Sequence, residues 1–133
     1  MPGIEECLLK AMTLPGARGA AVADCTSGLA LGTIGDSPNG DHEASVAETA
    51  ELARVATDQP TFAPVHDGDT AGGGSNPVED VIVTTRSGYH LLRFVETTFD
   101  SSVFIHVWLD REEGNLALAR IGLAGLAERL VLG

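Results

Sequence analysis

In "SVFIHVWL", residues Ser102 to Leu109, polar and apolar residues do not alternate: Val103, Ile105, Val107 and Leu109 fall on one side of an extended strand, Phe104, His106 and Trp108 on the other. A strand with bulky side chains on both sides leaves neither of them in water. It must lie at the centre of a sheet, with helices over both faces. With 133 residues and 44% hydrophobic content, the chain supplies one such core, and the expectation is one domain spanning residues 1–133.

The rest of the sequence supplies the covering helices and the neighbouring strands. Ile4, Cys7, Leu8, Ala11 and Met12 form the stripe of an amphipathic helix, which Pro15 and Gly16 terminate. Gly19 to Asp24 and Gly28 to Ile34 read as a β-hairpin with Asp24 and Gly28 as turn formers. Ala20, Ala21 and Ala23 are poor strand formers, so their use points to close packing by a helix. After "GDSPNGD", Asp41 caps a helix running to about Thr57, with Glu43 near its positive end. Val46, Ala47, Ala50, Ala53 and Arg54 make a flat, small-residue face on it, with Glu48 and Glu51 around them. Pro60 to Pro77, "PTFAPVHDGDTAGGGSNP", reads as a flexible loop, long for a compact domain. Val78 to Thr85 and Tyr89 to Val95 form a second hairpin around Arg86, Ser87 and Gly88. Asn115 caps a last helix with Leu116, Ala119, Leu123, Leu126, Ala127 and Leu130 on one stripe. The order is α-β-β-α-β-β-β-α.

Charge and composition exclude several functions. Nineteen acidic against eight basic residues give a net charge of -11, which opposes binding to nucleic-acid phosphates. No stretch is apolar for long enough to span a bilayer, so no membrane insertion is expected. The opening "MPGIEECLLKAM" carries Glu5 and Glu6 where a secretory signal would be positive, and a cytoplasmic protein is expected. Cys7 and Cys25 form neither a CxxC pair nor a disulfide framework, and both are expected to be reduced and partly buried.

No pattern of catalytic or ligand residues emerges. Cys25 has no neighbouring base to activate it as a nucleophile. His42, His66, His90 and His106 share no paired-ligand spacing, and "HDGD" at His66 to Asp69 lies in the loop, a poor preformed cage for a divalent ion. "GGGS" from Gly72 lacks the lysine, the preceding strand and the following helix of a phosphate cradle. "GDS" at Gly35 to Ser37 has no histidine placed to activate the serine. No cofactor, no metal and no catalytic residue is expected. The informative feature is instead "VEDVIVTT", Val78 to Thr85: rich in β-branched residues and free of proline, it would act at a sheet edge as a template for pairing with a second copy.

Taken in order, "LPGARGAAVADCTSGLALG" resembles the first hairpin of the roadblock / dynein light chain family, and "NLALARIGLAGLAERL" resembles that family's last helix. The resemblance covers nearly the whole chain and rests on the ordered set of loose motifs. It implies an α/β (α+β) three-layer sandwich: a five-stranded antiparallel sheet of the profilin/longin-like type, with the first and third helices on one face and the second on the other. It also implies a homodimer in which third strands pair edge to edge and second helices pack together. Carried over by position, Val46, Ala47, Ala50 and Arg54 would lie at the helix contact and Val81 and Val83 on the pairing strand. Members of the family are non-enzymatic platforms or regulators for Ras-like small GTPases. In filamentous actinobacteria they are often encoded beside a sensor-kinase-like protein, and a chain with one lysine among eight basic residues and abundant alanine suits a GC-rich bacterial genome. The loop from Pro60 to Pro77 is longer than the family usually has. The alternative reading is a small-ligand sensor of profilin-like architecture, with a cavity near Cys7, His106 and Trp108.

Overall fold

The computed structural model describes residues 3–63, 77–95 and 102–130. Five strands, β1 (Ala17–Asp24), β2 (Leu29–Gly35), β3 (Asp80–Thr84), β4 (Gly88–Phe94) and β5 (Val103–Asp110), form one sheet in the order β2-β1-β5-β4-β3, every neighbouring pair antiparallel. Strand β5 occupies the middle, and Val103 to Leu109 are all buried, as a strand without alternation requires.

The two faces have separate cores. Helices α1 (Ile4–Ala11) and α3 (Leu116–Arg129) press Cys7, Leu8, Ala119, Leu123 and Leu126 onto Val22, Leu91, Ile105, Val107 and Leu109. Helix α2 (His42–Asp58) packs Val46, Ala50 and Ala53 onto Ala21, Ala23, Leu92, Phe94 and Phe104. The three-layer arrangement is therefore that of the sequence reading, with α1 and α3 together and α2 alone.

Local chemistry explains the joints. In the first hairpin Gly28, at φ 75°, donates its N–H to the Asp24 carbonyl at 2.8 Å, and Asp24 Oδ1 accepts from Thr26 N–H at 2.9 Å and from the Ser102 hydroxyl at 2.7 Å. The alanines do allow close packing: Ala21 and Ala23 lie under α2, while Ala20 faces the α1 layer. Gly32 serves the same end, since a Cβ there would stand 2.7 Å from Ile4 Cγ2. Asp41 caps α2 by accepting from Glu43 and Ala44 N–H, and Asn115 caps α3 by accepting from Leu118 N–H at 3.0 Å.

Element ends differ slightly from expectation. Strand β3 begins at Asp80 rather than Val78, and β4 runs one residue earlier at each end, because Thr85 Oγ1 and the Gly88 backbone close the turn on each other. The segment read as a loop from Pro60 opens with a 3₁₀ turn, Pro60–Phe62, for which proline's fixed φ is suited. Residues 64–76 of that stretch, including "HDGD" and "GGGS", lie outside the described residues. Among the described residues no helix is long and apolar enough to cross a membrane.

Candidate protein-interaction surface

Both outer strands have one unpaired edge among the described residues, since β2 bonds only to β1 and β3 only to β4. Helix α2 lies chiefly over β1 and β2, and its core extends to Leu92 and Phe94 of β4 and to Val81 of β3. On β3, Val81 is half-buried against the α2-side core, whereas Val83 is 37% exposed. Leu52 and Val55 on α2 and Phe62 on the 3₁₀ turn are exposed as well. Between α2 and β3 lies a cavity of about 390 Å³ lined by Ala56, Phe62, Pro77, Val78, Asp80 and Val81. Exposed branched and aromatic side chains beside an open strand edge are the material of a protein contact.

The helix residues selected from sequence divide in two. Val46 and Ala50 are each 2% exposed and belong to the chain's own core. Ala47 and Arg54 are exposed, and Arg54 pairs with Glu51 on the same helix. The cause is helical geometry: Ala47 is turned roughly 100° from Val46, which carries it off the sheet-facing stripe. Leu52, Val55 and Phe62 were not singled out in the sequence, although an apolar pair three residues apart on the otherwise polar side of a helix was a readable signal.

A linked row of rings lies on the same face of the sheet. His106 on β5 is 4% exposed, and its Nε2 stands 3.0 Å from Nδ1 of half-buried His90 on β4. Their planes are 16° apart with centroids at 5.3 Å, so the rings meet edge to edge through the facing nitrogens. Such a bond needs one nitrogen protonated and the other bare. Burial, followed by the charge of His90, lowers the His106 pKa to about 3, and burial lowers that of His90. Trp108 lies parallel to His90 at 5.9 Å, donates Nε1–H to the Asp36 carbonyl at 2.9 Å and carries the Arg18 guanidinium over its ring at 4.6 Å. His106 is thus a satisfied core residue.

The remaining chemical candidates are occupied or separated. The Ser37 hydroxyl bonds to Ser45 and Asn39, and His42 Nε2 meets the Gly35 carbonyl at 3.0 Å instead of the serine. Cys7 and Cys25 are buried thiols, and burial pushes Cys7 up from its ordinary pKa. Cys7 belongs to the α1-side core and lies across the sheet from His106 and Trp108, so these three line no common cavity. The space beside His106 and Trp108 is about 10 Å³, room for no more than a water. Among the described residues no three His, Cys, Asp or Glu side chains are grouped to hold a metal ion.

Myxococcus xanthus MglB is similar in structure over 94% of this chain and 82% of its own, with a TM-score of 0.70 and 16% identity. This chain has the roadblock fold. A second solved structure, MglB with a tetrameric arrangement, matches with a TM-score of 0.67 and 14% identity over the same shares. No family model and no curated protein matches the sequence, so the roadblock fold is visible here through the backbone rather than through residue identity.

Proposed function

We propose that this chain is a non-enzymatic dimeric regulator that binds a Ras-like small GTPase and modulates its nucleotide cycle or location. The observation that carries the proposal is the β3 edge, open among the described residues, with Val83, Leu52, Val55 and Phe62 exposed on the same side of the sheet. Two copies joined edge to edge through β3 would extend the sheet and cover these side chains. Val81 and Val83 then lie at the pairing strand, Ala47 and Arg54 on the accessible surface of α2, and Val46 and Ala50 beneath it as the support that fixes the helix. Support for the GTPase comes from the roadblock fold shared with MglB, because the family that the sequence resembles serves Ras-like small GTPases, and the solved MglB with a tetrameric arrangement is consistent with self-association.

Val83→Asp would bury an unpaired charge in the strand pairing. Light scattering is expected to give twice the chain mass for the wild type and one chain mass for a folded Val83→Asp variant. A folded variant of unchanged mass refutes pairing through β3. For the partner, the protein serves as bait in its native lysate with GDP or with a non-hydrolysable GTP analogue. Recovery of a Ras-like GTPase is the expected result, and failure to recover one in both conditions removes the GTPase reading.

A further inference from the structure

On the opposite face, a cavity of about 310 Å³ lies between the C-terminal half of α3 and the β3-β4 end of the sheet, walled by Ala124 and Ala127 and bordered by Arg93, Glu79 and Glu128. This face is the one not used in the proposed dimer. Its notable member is Arg93. The side chain is 20% exposed, and its Nε is buried with no hydrogen-bond partner. Arg93 Nη1 lies 3.8 Å from Asp80 Oδ2, too far for a hydrogen bond, while Arg120 Nε bonds that same oxygen at 3.1 Å. Two guanidinium groups thus share one carboxylate, and the more exposed Arg120, at 52%, holds it better. One donor of the guanidinium, Nε, is thus left unmet, at a position where native proteins rarely leave one.

We infer that this cavity is a binding site for a compact amino-carboxylate, a zwitterion of amino-acid size. A carboxylate accepts from the two terminal nitrogens of Arg93 in parallel bonds, which no single carbonyl can do. Glu79 and Glu128 set the remainder of the ligand. Neither carboxylate has an ion-pair partner among the described residues, so together they oppose a phosphate dianion and favour a cationic amine a few atoms from the carboxylate. A neutral apolar molecule would offer the guanidinium no acceptor. The volume is at the low end for ligand pockets, which limits the occupant to a small molecule. Ala124 and Ala127 leave the room that larger side chains would fill.

The experiment is calorimetric titration of the full chain with each of the twenty standard amino acids, and with acetate and methylammonium as the two halves of the ligand. At least one amino acid is expected to bind with a Kd below about 1 mM, with each half weaker by about tenfold or more. Arg93→Lys keeps the charge but loses the fork, and Ala124→Leu fills the cavity while leaving every charge in place. Each is expected to weaken binding by about tenfold or more. Circular dichroism checks that both variants fold, and Ala124→Leu decides the matter if Arg93→Lys does not. Absence of binding by all twenty amino acids overturns the inference, as does binding that survives the folded variants unchanged. Acetate binding as tightly as the best amino acid overturns the zwitterion assignment.

Discussion

Replacing His106 by glutamine should abolish a specific part of the chain's acid sensitivity. Burial, then the neighbouring His90, lowers the His106 pKa from 6.5 to about 3 in the folded chain. The unfolded chain therefore takes up the proton first. The stability that rests on a neutral His106 is complete above pH 6.5, is lost progressively as pH falls, and stops declining near pH 3, where the native ring also protonates. At pH 5 the distance below the unfolded value is about 1.5 pH units, which at about 1.4 kcal/mol per unit is a loss of about 2 kcal/mol. That is a substantial fraction of the roughly 5–15 kcal/mol of a typical domain. Glutamine retains a hydrogen-bonding group toward His90 but cannot titrate. Urea unfolding followed by the fluorescence of Trp108, the one tryptophan, at pH 7.5 and pH 5 gives the comparison directly. The wild type is expected to lose about 2 kcal/mol more than His106→Gln between the two. Parallel losses in the two proteins would show that His106 is not held neutral by the fold.

Two further substitutions test the packing and capping. Phe104→Ala removes a fully buried ring from the α2-side core and is expected to cost about 3–5 kcal/mol in the same urea assay. Asp41→Ala removes the side-chain cap of α2 and should cost about 1 kcal/mol, with restoration by Asn or Ser.

The parts of the fold that could be read from sequence are those governed by local rules. The double-sided burial of Val103 to Leu109, the turn chemistry of Asp24 and Gly28, and the caps Asp41 and Asn115 depend on the residue itself or on neighbours a few positions away. Which side of α2 meets the sheet was harder to read. Alanine is tolerated on either side of a helix, so a stripe wide enough to include Ala47 and Ala50 gives no sharp rotational angle, and only contact with Ala21, Ala23 and Phe104 settles it. The His90–His106 and Arg93–Asp80–Arg120 clusters depend on strand register and helix placement. Their members are 16, 13 and 40 residues apart in sequence, and no local spacing announces their meeting. The cavity beside Arg93 was likewise hidden, because its lining comes from β4, the segment before β3 and the far end of a helix.

The outer strand β2 has a consequence for handling the protein. Leu29 and Leu31 are 65% and 45% exposed on an open edge, and from Leu29 to Gly35 there is neither a charged residue nor a proline to discourage pairing. Mutual repulsion at a net charge of -11 opposes the addition of strand to strand there. That protection belongs to the solvent as much as to the chain. Its reach shrinks from about 30 Å at 0.01 M ionic strength to about 8 Å at 0.15 M. Colloidal stability should therefore fall as salt rises even while the fold stays intact, and a concentrated stock kept near the sequence pI of about 4.5 would lose the protection altogether.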